Sequence, residues 1–351
     1  MRGKICGIGR LAVLVAWSLG GAASCWAQAS PSLHTYFKED IGLSDEQIAT
    51  IRGGQAIAKK LNSREADEIF VFGAVYVNAK PESYLKFARD FDRLRAVPGF
   101  LAIRQFSNPP ELSDLKDLTL DSEDLKELKE CKPSDCKIQM PASAIEDVHQ
   151  LVEWTDANTE EEANQLVRKK VLELVTAYQR EGNEVLGVYN DKKHPTQVPE
   201  QFKYMLSYAK ALPKYLPEFD NYLLAYPAGK PANVEDSFYW ARVKFGLKPT
   251  VRVVHVLTMR TDVGGDPVYA VAEKQLYSSH YFETALDLTF CVRDSADPKA
   301  TGFYLIKTMG SEQAGLTGFK GSIVRKVATD RSASSLQKSL AAIKDALEHR
   351  Q

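Results

Sequence analysis

Two hydrophobic periods alternate along the chain, and together they lay out its elements. Near the start, LSDEQIATIRGG places Ser44 three residues before Gln47, a capping-box spacing that predicts a helix ending at Gly53-Gly54. After QAIAKKL and a polar NSREAD turn, EIFVFGAVYVNA is apolar on both alternating faces and rich in Val and Phe. That pattern predicts a central, buried strand. Pro81 then suits the first turn of a helix whose Tyr84, Phe87, Phe91 and Leu94 recur at threes and fours. LAIRQFS reads as a further strand.

From Asn108 to Met140 the pattern is irregular, although SEDLKELKE sets Leu125 and Leu128 on one helical face, and IEDVHQLVEW is amphipathic. A stronger helix follows in TEEEANQLVRKKVLELVTAYQREG. Its Leu166, Val167, Val171, Leu174, Val175 and Tyr178 form one stripe, Thr159 and Glu162 have capping-box spacing, and Gly182 closes it. A Tyr- and Pro-rich stretch up to Ala232 predicts short helices and turns packed on the core.

Beyond Thr250 the period becomes two. TVRVVHVLTMR puts Val251, Val253, His255, Leu257 and Met259 on one face. Gly264-Gly265 predicts a hairpin turn into PVYAVAEKQLY, and DSADPKA a turn before TGFYLIKT. Ile323, Val327, Leu336, Leu340, Ile343 and Leu347 mark a long amphipathic C-terminal helix, with Asp330 as a candidate break.

One stretch, HYFETALDLTFCV from His280 to Val292, decides between two chemistries. On a helix, His280, Glu283 and Asp287 would share a face, as an acid–base or metal constellation does. The apolar residues, however, would then spread around the cylinder. On a strand, Phe282, Leu286, Leu288, Phe290 and Val292 share one face while Glu283 and Asp287 take the other. The strand is expected, with His280 pointing away from both carboxylates and toward the apolar side. His280 and His255 are expected as core histidines with hydrogen-bond partners, ahead of a ligand or proton-transfer role.

The N-terminus changes the picture of where the chain works. Arg2, Lys4 and Arg10, an apolar run from Leu11 to Ala23 and an Ala27-Gln28-Ala29 box have the layout of a secretory signal peptide. The run is shorter than the ~18 residues a spanning helix needs, and no later segment is apolar enough. Cleavage after Ala29 and a periplasmic or secreted location are expected. Lipidation at Cys25 is the less favoured alternative, because its box lacks a large aliphatic residue. The chain has 45 Lys+Arg and 46 Asp+Glu, and the signal removes three basic residues and no acidic one. Nothing in this mild acidic excess suggests nucleic acid, which would require a basic stripe.

In such a compartment CKPSDC predicts a disulfide between Cys131 and Cys136 across a Pro-Ser-Asp turn. A redox pair or half a metal site is disfavoured by four intervening residues and by the lack of a second Cys/His pair. Cys291 is left as a small packed side chain. There is no G-x-S-x-G, H-E-x-x-H or Walker motif, and the glycines of GLTGFKG are a weak anion-nest signal. No metal and no cofactor are expected.

The segment GGQAIAKKLNSREADEIFVFGAVYVNAKPESYLKFARDFDRL resembles the start of a START-like domain, the helix-grip superfamily of polyketide cyclases and lipid-transfer proteins. The strands from Thr250 to Thr308 and the final helix resemble its end. The resemblance implies an α+β fold, a curved antiparallel sheet gripping a long C-terminal helix, with a helix-rich insertion at about 108–232. Residues 1–29 would be the signal, 30–66 a lead-in helix and first strand, and 67–351 the domain. It further implies a cavity between sheet and last helix that binds a hydrophobic small molecule or lipid. His255, His280, Tyr269, Phe282 and Tyr304 are its candidate lining. The alternatives are an acid–base enzyme of the same fold, cyclase or hydrolase in type, using an inward histidine, and an envelope protein whose 143–182 region docks a partner. The binding protein is preferred to the enzyme.

Overall fold

The computed structural model describes residues 33–349, apart from 96–98, 156–157, 210, 245–247, 264–265, 294–300 and 314. The signal segment expected at residues 1–29 and the turns expected at Gly264-Gly265 and DSADPKA lie outside the described residues.

Eight antiparallel strands form one open sheet in the order β1-β2-β10-β9-β8-β7-β6-β3. They are β1 (Ile57–Leu61), β2 (Glu68–Val77), β3 (Phe100–Gln105), β6 (Val234–Lys244), β7 (Pro249–Val263), β8 (Asp266–Ser278), β9 (Phe282–Val292) and β10 (Phe303–Gln313). The short pair β4 (Val188–Tyr189) and β5 (Thr196–Gln197) stands apart. The fold class expected from the sequence, α+β with an antiparallel sheet and a long C-terminal helix, is what the chain adopts. β2 is buried on both faces as expected, but it lies next to the edge rather than at the centre of the sheet.

Both faces are covered because both phases of the strands are apolar. On one face Phe72, Val253, Leu257, Leu286 and Phe290 join the main core with Val175 and Tyr178 of the Thr159–Glu181 helix, Phe202 of the Val198–Tyr208 helix and Phe219 of the Pro217–Ala225 helix. The stripe of the Thr159–Glu181 helix packs within its own chain, where Leu166, Val171, Val175 and Tyr178 are buried. On the opposite face Val71, Val75, Leu305 and Cys291 pack with Leu336, Leu340 and Leu347 of the Gly318–Glu348 helix.

Two expectations are corrected here. The last helix does not cover the face bearing Val251, Val253, Leu257, Leu286 and Phe290; the helices from the 108–232 region do. Alternation shows that two faces are apolar but not which element covers which. The last helix is also continuous through Asp330, which pairs with Lys60, and it leaves Ile323 and Val327 exposed. At 31 residues it is roughly 46 Å long, and it packs along the β1–β2 edge of the sheet. There the approach is close: a Cβ added to Gly73 would lie 2.7 Å from Leu340 Cδ1 and 2.9 Å from Leu336 Cδ2.

A smaller core joins Leu125 and Leu128 of the Ser122–Glu130 helix with Ile145 and Val148 of the Ala142–Leu151 helix. The expected disulfide closes the turn beside it, with Cys131 bonded to Cys136, and Cys291 is free and buried. The Ser44–Gln47 capping box forms in both directions, at 3.1 and 3.0 Å.

Candidate functional site

A cleft of about 860 Å³ opens where β9 begins and β10 ends, flanked by the segment after β4 and by the Val198–Tyr208 helix. Its walls are polar and charged, with Arg64, Lys192, Tyr204, Glu283 and Glu312 among them. A second cleft, of about 520 Å³, shares Tyr204 and Ser207 with the first and continues along the helix to Tyr36, Leu61, Tyr208, Phe290 and Thr308. The second lies on the main-core face of the sheet with Phe290, and the first opens at the end of the sheet and reaches Thr317, which caps the last helix. Beneath the last helix, Leu336 and Leu340 pack closely on Gly73.

The sequence shapes each wall. The NSREAD turn before β2 presents Arg64, whose guanidinium lies 3.5 Å above the Tyr204 ring and 3.2 Å from buried Glu68. Glu68 also accepts from Gln201 Nε2 at 3.0 Å, which anchors the helix to the strand. Glu283 pairs with Lys192 and accepts from the Thr196 hydroxyl. Tyr208 stacks on Phe70 at 4.2 Å, forming the aromatic part of the wall.

Electrostatics mark the polar end. Burial, with Asp67 and Glu68 nearby, pushes the Glu312 carboxyl up to about 7, and its buried Oε2 accepts no hydrogen bond. Burial lowers the Lys192 amine, a shift only partly offset by Asp191. Burial thus disfavours the charged form of both groups in the cleft.

The residues singled out from the sequence are dispersed. His255 sits on β7, fully buried on the main-core face, its ring stacked 4.4 Å from Phe238. Its Nε2 donates to Asp236 Oδ1 at 2.8 Å and its Nδ1 accepts from the Tyr178 hydroxyl at 3.1 Å. Burial drives it down to about 4 despite Asp236, so it is neutral at pH 7. Burial raises the Asp236 carboxyl too, but His255 and Lys230, 2.5 Å away, hold it below the usual range. Lys274 lies in the same core beside Asn183, with its amine lowered well below the usual value by burial.

His280 precedes β9 instead of lying on it. It occupies the β8–β9 turn and meets Asp124 Oδ1 at 3.0 Å, far from Glu283 at the cleft and from Asp287, which pairs with Lys307 at 3.1 Å. Tyr269 belongs to the opposite face and donates to Glu82 at 2.6 Å. Phe282 begins β9, and its carbonyl accepts from Gln275 at 3.0 Å. Tyr304 is buried against Phe37 and Tyr76. None of these five lines either cleft.

Some of what was missed carried a signal. Lys274 is in phase with Val268, Ala270, Ala272 and Leu276, and Asp236 with Val234, Phe238 and Trp240, so an ionisable residue stood on an apolar face in both strands. Asp124 and Glu127, by contrast, look like any solvated helix acids.

No family model and no curated protein matches the chain. Among solved structures it is similar to the di-domain ARO/CYC StfQ from the steffimycin biosynthetic pathway. The identity is 15% and the TM-score 0.21, over 55% of this chain and 59% of that one, under two thirds of its length. So slight a likeness carries no function. The eight-stranded antiparallel sheet and long C-terminal helix fit a helix-grip arrangement in coarse outline.

Proposed function

We propose that the protein binds an amphipathic small molecule, a lipid or a comparable hydrophobic compound, in the adjacent clefts along the Val198–Tyr208 helix. The carrying observation is their adjacency: a charged cleft with Arg64, Lys192 and Glu312 shares the Tyr204 and Ser207 wall with one lined by Leu61, Tyr208 and Phe290. A polar head has donors at one end and an apolar body has aromatic surface at the other. The helical region at about 108–232 belongs to the binding domain of residues 67–351, since it supplies one wall, and 30–66 leads into it.

Residues 1–29 serve in this reading as an export signal, and the Cys131–Cys136 disulfide suits an oxidising periplasm or extracellular space. Among the described residues no helix is long and apolar enough to cross a membrane. Native mass spectrometry of the mature protein tests the proposal. A co-purifying compound, lost on organic extraction and rebound on mixing, is expected; identical native and extracted masses, with no uptake of a fluorescent fatty-acyl probe, contradict it.

A second reading, an acid–base enzyme, is favoured by Glu312 and Lys192 titrating toward neutrality in one cleft. It relocates the chemistry from His255 and His280 to the cleft. Turnover of a bound compound that is abolished by Glu312→Gln, with binding retained, would select it.

A further inference from the structure

The turn before β9 carries His280 onto the Ser122–Glu130 helix, where Asp124 and Glu127 stand three residues apart on one face. One ligand-capable atom from each of the three residues lies within 4.8 Å of the others, and all three are buried. The orientation of the ring is fixed from outside the cluster. The Lys137 carbonyl can only accept, so His280 Nδ1 donates to it at 3.0 Å and Nε2 is turned toward Asp124 Oδ1, also at 3.0 Å. A metal-bound imidazole is held in this way, with its distal N–H on a backbone carbonyl. The disulfide hairpin directly after the ligand helix delivers that carbonyl.

Glu127 adds an independent observation. Its side chain is 6% exposed, and its Oε2 is buried and accepts no hydrogen bond. The two nearby ammonium groups, of Lys137 at 3.2 Å and of Lys248, both approach the other oxygen, Oε1. Lys137 is 73% exposed, and Lys248 also lies 3.2 Å from Glu123.

We propose that Asp124, Glu127 and His280 bind one divalent transition-metal cation through two carboxylate oxygens and imidazole Nε2. A mixed oxygen and nitrogen set of three suits Zn²⁺ and leaves a coordination position for water. Bonds of about 2.0–2.2 Å bring such atoms roughly 3.4 Å apart, a contraction that side-chain rotation on the helix can supply.

Zn²⁺ titration into the chelator-stripped full chain, followed by calorimetry and thermal melting, tests the site. One ion per chain and a raised Tm are expected, with Glu127→Gln and His280→Gln each weakening binding at least tenfold. No saturable binding up to about millimolar Zn²⁺, or binding that both variants retain, overturns the proposal. Should the variants fail to fold, the wild type suffices. Co²⁺ is then expected to give the visible absorption of a low-symmetry site and to perturb the His280 ring resonances, whereas His280 ring resonances unchanged in saturating Co²⁺ overturn it.

Discussion

Tyr178 and His255 meet where the helical layer touches the sheet, the phenol donating to Nδ1 at 3.1 Å while Nε2 donates to Asp236 at 2.8 Å. Both ring nitrogens are satisfied only when the imidazole is neutral. The unfolded chain takes up a proton below about 6.5, whereas folded His255 resists until about 4. Its contribution is therefore complete above pH 6.5 and is lost as the pH falls toward 4, by roughly 3 kcal/mol. Urea unfolding at pH 7.5 and 4.5 checks this. His255→Gln should be less stable than wild type at pH 7.5 and lose less on acidification; an equal loss in both proteins contradicts the assignment.

Glu312 acts in the opposite direction. Its carboxyl titrates near 7 in the fold and near 4.5 when unfolded, so its contribution is present below 4.5 and fades as the pH rises through 7. Glu312→Gln should leave stability unchanged at pH 4.5 and raise it at pH 8 by about 1–2 kcal/mol, after allowance for solvent screening. Thermal melts at the two pH values give the answer, and a variant destabilised at pH 8 would show that the carboxylate is better served than its burial implies.

Gly73 sets how closely the last helix approaches the sheet. Gly73→Ala forces Leu336 and Leu340 outward and should cost about 1–3 kcal/mol. Leu340→Ala should cost about 2–5 kcal/mol by opening a cavity. If the denaturant midpoint of Gly73→Ala equals that of the wild type, the helix is not packed on β2 as described.

Thiol chemistry separates the cysteines. Cys291 is buried, and burial lifts its thiol well above the usual value. The mature folded protein should not react with a thiol reagent, and in denaturant Cys291 alone should react until reductant is added. Cys131→Ser with Cys136→Ser should cost about 2 kcal/mol, the value for so short a loop. Rapid labelling of Cys131 in the folded, unreduced protein would refute the disulfide.

Much of this was legible in the chain, for physical reasons that also explain the gaps. The strand character of Phe282–Val292 follows from its period of two, and that alone separates His280 from Glu283 and Asp287. The end of a strand is less well written, so the turn that swings His280 onto Asp124, 156 positions away, left no local trace. The stripe from Leu336 to Leu347 predicted a covered helix face. Nothing in a sheet with two apolar phases tells the last helix which phase to take, so the face it covers is not readable from the chain. The charged wall of the cleft is assembled from a turn, a helix and two strand ends, each unremarkable alone.

Photolabelling with a diazirine-bearing fatty acid, followed by peptide mapping, puts the binding proposal to its most direct trial. Labels confined to the Val198–Tyr208 helix and the facing strands β9 and β10, competed away by unlabelled fatty acid, are expected. Labels on Leu336–Leu347 beneath the last helix, or labelling that competitor does not reduce, would contradict it.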